Sequence, residues 1–517
     1  NLMRTRIDVK FCGGVANGIN LTGSCTLITI RRGKREIRIL VDIGFIHANV
    51  AQSFQVNSVI AEEIDFSKID FIILTHSHID HTGRLPYGCI KGFHGRVLCT
   101  EPTAEITRIM LLDTASILEQ EARYLARRER KESEKNAHSG NHGSKNRGRN
   151  EFGGKNSKKE VLYTKEDAER SLEFIKNGGL DYDRWHKIWN EIAVKFYPSG
   201  HVLGGAICVL KIPMNCRGKK YIYLGFSGDL GRRDGIILPP PVVPKEKMDF
   251  WFTESTYGGI SHPDRQIEIN RIFEIIREAV KEKKKIIIPS FALERTQELI
   301  YLLSGAIAKG QIPKIDIYLD SPMAKKITEV FKGYWNTPMF SDQEELSRFN
   351  PFDLKKNPHF QVMESNVGSA RLSKSSGPYI VIAANGMCTA GRVRNYLREN
   401  LPDPNTIVCL VGYMTQGSLG KQLQEGFPIV SMNKEDIPVN ARIEVFNSFS
   451  GHADGPYLCD FATSVISQKE NSERTIFLIH GEALNAAFLK SNLMKAFGET
   501  REGEIIIPEL NETRQLV

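Results

Sequence analysis

Short apolar runs recur along this chain, and most of them stop abruptly in a polar turn. Phe71 to Leu74 is the clearest: four apolar residues without alternation, then THSHIDH. A run of that kind predicts a strand buried on both faces, with the polar residues in the loop at its carboxyl end. Upstream, IDVKF leads through a Gly-rich bend to TLITIRR-GKRE-IRILVDIG, which predicts a hairpin whose second strand ends at Asp42. Downstream, the figure returns four times. Glu191 to Tyr197 runs into PSGHVLGGA, KYIYLGF into SGDLG, DFWF into TESTYG, and RTIFLI into HGEA. Between these strands, Ala104 to Arg128 shows apolar positions at helical spacing.

From Arg265 to Glu425 the pattern changes to alternating helices and strands: a helix Gln266 to Lys281, the strand KKKIIIPS, a helix Leu293 to Lys309, the strand IDIYLDSPM, then PYIVIAANG, a helix Val393 to Glu399, and NTIVCLVGY. This predicts a parallel, doubly wound α/β sheet. After it, ARIEVFNSFSGHADG and RTIFLIHGEA restore the first pattern. The α/β unit therefore reads as an insertion in a larger domain made from both ends of the chain. Residues 1–258 and 441–517 form that domain, and 259–440 form the insertion.

Composition refines this picture at three points. At 517 residues, 41% hydrophobic and 25% charged, the chain is an ordinary globular one with room for two sizeable cores. It holds no apolar run near the roughly 18 residues of a membrane span, and NLMRTRIDVKF lacks a signal peptide's apolar core. The nine cysteines are scattered with no CxxC pair, and Cys99, Cys208 and Cys409 lie in strand-like runs. They read as buried thiols in a reducing compartment, cytoplasm or nucleus. The net charge of +8 is concentrated between Arg127 and Glu160, where 11 Lys and Arg face 5 Asp and Glu. That stretch is low in complexity and is expected to be a disordered insertion, with His138 and His142 solvated. Its charge suits either a plain solvated loop or a basic arm that contacts phosphates.

The chemistry lies at the strand ends. His76, His78, Asp80 and His81 fall within six residues, and imidazole and carboxylate are ligands that zinc accepts. His76 and His78, two apart in extended chain, can face the same way. Asp80 and His81 turn off and are able to serve a second ion. With His201, Asp229 and His480, seven groups can fill two coordination spheres of a two-metal hydrolase, in which bound water has a pKa of about 7. Two strand-end groups remain, Glu254 and His452. A carboxylate paired with an imidazole is a natural acid for protonating a leaving group. Asp42 suits a turn or the support of the ligand loop. The glycine loops GMCTAGR and TQGSLG are able to offer backbone N–H groups to phosphate, and equally suit tight turns.

HSHIDH resembles the HxHxDH signature of the metallo-β-lactamase fold, SGHVLGGA its downstream histidine motif and SGD its bridging aspartate motif. TESTYG, FSGHADG and LIHGE resemble the further motifs of the β-CASP branch, and the motifs occur in that family's order. The resemblance implies a metallo-β-lactamase αββα sandwich built from both chain ends, with an inserted doubly wound α/β β-CASP domain. It implies two zinc ions per chain, one held by His76, His78 and His201 and the other by Asp80, His81 and His480, with Asp229 bridging. Asp42 would orient the ligand loop. Glu254 and His452 would form the acid pair, and Asp80 counts as both ligand and catalytic group. The activity implied is hydrolysis of single-stranded RNA by a nuclease of the cleavage-and-polyadenylation type, endonucleolytic with 5′–3′ exonucleolysis open, leaving a 5′-phosphate and a 3′-hydroxyl. The alternative is a closed, non-cleaving subunit of an RNA-processing complex. Homodimer and complex subunit both stay open. Ser290, Arg295, Ser321, Arg392 and Gln416 are candidates for RNA or phosphate contacts. The basic insertion is no part of the family's pattern.

Overall fold

The computed structural model describes residues 5–15, 23–47, 50–138, 161–175, 179–216, 219–341, 349–415, 417–466, 475–497 and 505–517. Two mixed sheets face one another. The first holds the hairpin Cys25–Arg32 and Arg35–Val41, flanked by Thr5–Gly13 on one side and by Phe71–Ile73 and Arg96–Leu98 on the other. The second runs from His186–Trp189 through Ile192–Pro198, Ala206–Cys216 and Lys219–Phe226 to Phe250–Glu254, then Thr475–Ile479 and Ile505–Ile506.

Alternation explains why these sheets pack face to face. Ile28, Ile30, Ile37, Ile39, Phe71 and Ile73 point inward and meet Val194, Phe196, Cys208, Leu210, Phe252 and Phe477 in one buried cluster. The alternate residues Leu27, Leu40, Ile72 and Val97 turn outward and are covered by Leu111, Ala115 and Leu118 of the helix Glu101–His138. On the far side, Ile207, Val209, Trp251, Ile476 and Leu478 are covered by the helices Gly455–Ile466 and Ala483–Phe497. The result is a four-layer αββα sandwich whose second sheet draws strands from both ends of the chain.

The inserted sheet has six strands, all parallel, in the order Phe360–Val362, Ile317–Asp320, Tyr379–Ala383, Lys285–Pro289, Thr406–Leu410, Arg442–Val445. Ile286, Ile288, Ile380, Ile382, Ile407 and Cys409 enter one core. Their neighbours Ile287, Tyr379, Val381, Val408 and Leu410 enter a second core on the opposite face. Apolar residues at consecutive positions are therefore what a sheet covered on both sides requires. The first of these cores also takes in Ile106, Met110, Val202, Leu203, Ile237 and Leu238 of the sandwich, so the two domains share one apolar contact.

Three features differ from the expectations. The helix Glu101–His138 continues through residues 127–138, which were expected to be disordered. Arg, Lys and Glu are good helix formers, and a run rich in them propagates a helix already nucleated by Glu101 to Arg128 at small cost per residue. His142 and residues 139–160 lie outside the described residues. Arg442–Val445 pairs in parallel with Thr406–Leu410, so the inserted sheet extends past residue 440 and the chain returns to the sandwich only after Val445. A short strand after EIIIPE, Thr513–Gln515, pairs with Asp8–Lys10 and completes the edge of the first sheet.

Candidate metal centre

Strand register assembles the site. Val41 pairs with Ile73, which sets Asp42 beside the start of the THSHIDH loop. The Asp42 backbone adopts φ 61°, a left-handed conformation rare for a residue with a side chain, and this turns its carboxylate into the loop. Thr75 donates its N–H to Asp42 Oδ1 (2.8 Å) and its hydroxyl to Oδ2 (2.9 Å). His81 Nδ1 also meets Oδ2 at 2.8 Å, so the proton sits on Nδ1 and the Nε2 lone pair faces the centre. In the second sheet, Glu254 pairs with Ile479, which brings the DFWFTE strand end alongside His480.

Two sets of donor atoms result. His78 Nδ1 lies 3.0 Å from His76 Nε2 and 3.2 Å from His201 Nε2, and Asp229 Oδ2 lies 3.5 Å from each of those two Nε2 atoms. His480 Nε2 lies 3.3 Å from His81 Nε2 and 3.4 Å from Asp80 Oδ2. Asp229 Oδ1 lies 3.3 Å from His81 Nε2 and 3.2 Å from His480 Nδ1. Asp229 therefore touches both sets, one oxygen to each. Its Oδ1 is buried and, among the described residues, accepts no hydrogen bond. A buried carboxylate oxygen without a donor, ringed by imidazole nitrogens, fits a cation between them.

Charge supports this fit. Burial, with neighbouring histidines adding to it, holds His76 and His201 well below the ordinary imidazole range, and burial holds His78 at about 4. All three are neutral and ready to ligate. Burial opposes ionisation of Asp80 and Asp229, but the surrounding histidines outweigh it and keep both carboxylates ionised. Burial likewise lowers His81 and His480, yet Asp229, with Asp42 for His81 and Asp80 for His480, lifts them above the ordinary value. Without a cation these two take up protons that metal binding must displace.

The His452–Glu254 pair stands beside the two sets. His452 Nδ1 contacts Glu254 at 3.0 and 3.3 Å, and its Nε2 lies 3.9 Å from Asp229 Oδ2. Glu254 is fixed by the Leu230 N–H at 2.6 Å. Burial lowers the His452 pKa, but Glu254 and Asp229 outweigh it and raise it to about 9. Several residues that hold this arrangement carried no signal in the sequence. The Gly451 carbonyl meets His201 Nδ1 at 3.1 Å and leaves Nε2 to the centre. Arg265, from the first helix of the insertion, donates to the carbonyls of Ser448 (3.2 Å), Ser450 (3.3 Å) and Asp234 (2.7 Å). Arg232 adds a bond to Ser448 O at 3.0 Å. The loop carrying His452 is thus clamped by both domains. Leu203 donates its N–H to Glu294 Oε2 (3.1 Å), a second tie between the insertion and the His201 loop.

Four of the remaining candidates make polar contacts inside the protein. Ser290 donates to Phe291 O, Arg295 pairs with Glu298, and Ser321 caps the helix Pro322–Tyr334 through the Ala324 N–H. Arg392 holds the buried Asp320 at 2.6 Å and the Met363 carbonyl at 3.0 Å. These four brace strand-end loops. Gln416 lies outside the described residues.

Three family models match in sequence order: a metallo-β-lactamase superfamily domain over residues 33–224, a Beta-Casp domain over 296–423, and a Zn-dependent metallo-hydrolase RNA specificity domain over 436–508. The chain is 29% identical to a ribonuclease of Thermus thermophilus over 81% of its own length and 82% of that protein's. It is 27% identical to an RNase J-like protein of Methanocaldococcus jannaschii, over 92% of each chain. It is 28% identical to the cleavage and polyadenylation specificity factor 73 of Drosophila melanogaster, over 92% of this chain and 60% of that one. With a β-CASP unit interrupting an αββα sandwich whose strand ends converge on two donor sets, the chain belongs to the β-CASP family of metallo-β-lactamase-fold hydrolases.

Proposed function

We propose that this protein is a zinc-dependent ribonuclease that cuts phosphodiester bonds of single-stranded RNA internally, with two ions per chain. The observation that carries the reading is Asp229, one oxygen turned to each donor set, with the His452–Glu254 pair aimed at the same carboxylate. His76, His78 and His201 would hold one ion and Asp80, His81 and His480 the other. Ions bound there supply Lewis acidity and lower the pKa of the water they hold.

The chain's own groups do the rest. Asp42 and the Gly451 carbonyl fix the tautomers of His81 and His201. Glu254 holds the Nδ1–H of His452, which keeps the imidazole protonated at neutral pH. A water oxygen adds in line to phosphorus and releases a proton to solvent, the bond from phosphorus to the 3′ oxygen breaks, and that oxygen takes the Nε2 proton of His452, which solvent then restores. The products are a 5′-phosphate and a 3′-hydroxyl. The RNA specificity domain match and the ribonucleases among the relatives support RNA as the substrate. The free thiols of Cys12, Cys25, Cys89, Cys99, Cys208, Cys388, Cys409 and Cys459 support a reducing compartment, cytoplasm or nucleus.

A second reading rests on burial. His76, His81, His201, Asp229 and His480 are all buried, as they would be in a closed subunit of an RNA-processing complex. The two readings separate in a cleavage assay on 5′-labelled single-stranded RNA, with zinc or chelator, and with Asp80→Ala as control. Internal fragments that require zinc and vanish in the variant support the nuclease. Intact RNA with zinc shown to be bound overturns it in favour of the closed subunit.

A further inference from the structure

The inserted sheet has a place where its chain connections part. Lys285–Pro289 lies between Tyr379–Ala383 and Thr406–Leu410. The helix that follows it, Arg295–Ala308, packs on the Ile286/Ile288 face. The helices that follow its two neighbours, Val393–Asn400 and Leu419–Gln424, pack on the Ile287 face. Loops leaving adjacent parallel strands toward opposite faces open a crevice at the carboxyl edge, where α/β sheets bind ligands.

What lines this crevice is aromatic. Phe291 follows the central strand, and Gly386 and Gly412 follow the two neighbours. A Cβ on Gly386 would come within 2.9 Å of the Phe291 ring, and one on Gly412 within 3.0 Å. Neither loop can carry a side chain there without displacing the ring. Tyr413, next in the chain, is 53% exposed. Its hydroxyl reaches Glu482 Oε1 at 3.4 Å, two residues after His480, so the ring stands across the junction of the two domains. Its centroid lies 6.5 Å from that of Tyr257, which lies 6.0 Å from the His452 ring. One ring therefore separates Tyr413 from the proton donor. An exposed aromatic side chain tethered by its hydroxyl presents a flat apolar face, which suits the π-face of any nucleobase without regard to sequence.

We propose that Tyr413 is a stacking platform for one base of the RNA beside the phosphodiester that is cut. The proposal deepens the ribonuclease reading and rests on it for the identity of the ligand. It predicts a substrate with an unpaired base next to the cut, and cleavage that depends little on which base that is.

The test uses the full chain carrying Asp80→Ala, which binds without cutting, and single-stranded RNAs in which an abasic site is walked one position at a time. Affinity is measured with and without Tyr413→Ala. Loss of the ring is expected to weaken binding about tenfold, on the order of one stacked base. At one position the abasic RNA should bind more weakly to the Asp80→Ala chain and be indifferent to Tyr413→Ala, while Tyr413→Phe stays within a few-fold of tyrosine. If Tyr413→Ala weakens every abasic RNA as much as the intact one, or weakens none, the platform is overturned. Cleavage by the otherwise unaltered chain is read separately. RNA that is cut without this coupling sinks the platform alone. Coupling without cutting sinks the nuclease reading and leaves the platform, and no RNA binding at all sinks both.

Discussion

Glu254→Gln isolates what a single buried charge does for the proton donor. The substitution keeps one acceptor oxygen, at the position that takes the Leu230 N–H and lies 3.3 Å from His452 Nδ1; it removes the negative charge and puts an NH2 group where the other oxygen stood 3.0 Å from the imidazole. An opposite charge within about 4–6 Å shifts a pKa by about 1–3 units, and two units correspond to about 2.7 kcal/mol. His452 stands raised to about 9, so its proton is present at neutral pH and lost as pH rises through that value. Removal of the Glu254 charge should bring the value down by about two units. The alkaline limb of cleavage by Glu254→Gln should therefore lie about two pH units below that of the unaltered protein. Between the two limbs the variant should be about tenfold slower or more, and below both the two proteins should nearly match. Single-turnover cleavage of labelled RNA across pH 6–10, at saturating zinc and with metal content measured for both proteins, reads the two limbs. An alkaline limb at the same pH in both proteins, with metal retained, would falsify the assignment of His452 as the acid held by Glu254.

Other changes read other parts of the site. His452→Ala should retain both metals and lose about 10²–10⁴-fold in turnover, and loss of zinc by elemental analysis would count against a proton-donor role. Asp229→Ala should reduce metal at both sites, because one of its oxygens faces each donor set; two ions retained would end the bridging assignment. Asp42→Ala frees His81 Nδ1 and should weaken metal binding about 10–100-fold without unfolding the chain, measured by competition with a chelator. Metal uptake should release protons and tighten as pH rises, since His81 and His480 are raised and hold protons in the metal-free protein; calorimetry in buffers of differing ionisation enthalpy would show a pH-independent uptake if this is mistaken. Removal of residues 139–160, with 6 Lys and Arg against 2 Asp and Glu, should flatten the salt dependence of RNA binding, and an unchanged slope would show those charges to be idle.

The amino-acid sequence by itself carried the two kinds of strand and the groups at their ends. Period-two burial and unbroken apolar runs are local signals, so the hairpin, the doubly wound insertion and the positions of His76, His201, Asp229, Glu254, His452 and His480 are legible without coordinates. Their grouping into two sets is legible only through the family resemblance, because spacing along a chain does not say which strand ends meet. Tertiary structure decided the rest through contacts that leave no mark on side-chain identity. The Gly451 carbonyl that orients His201 belongs to a residue with no side chain, and Arg265 acts on three backbone oxygens, so neither position advertises its role. Tyr413 reads in the sequence as an ordinary strand-end aromatic, and only the parting of the loops around Phe291 gives it an exposed face near the acid. The stretch 127–138 illustrates the converse: a composition too polar to build a core is still able to extend a helix nucleated before it, because propagation needs backbone hydrogen bonds and not burial.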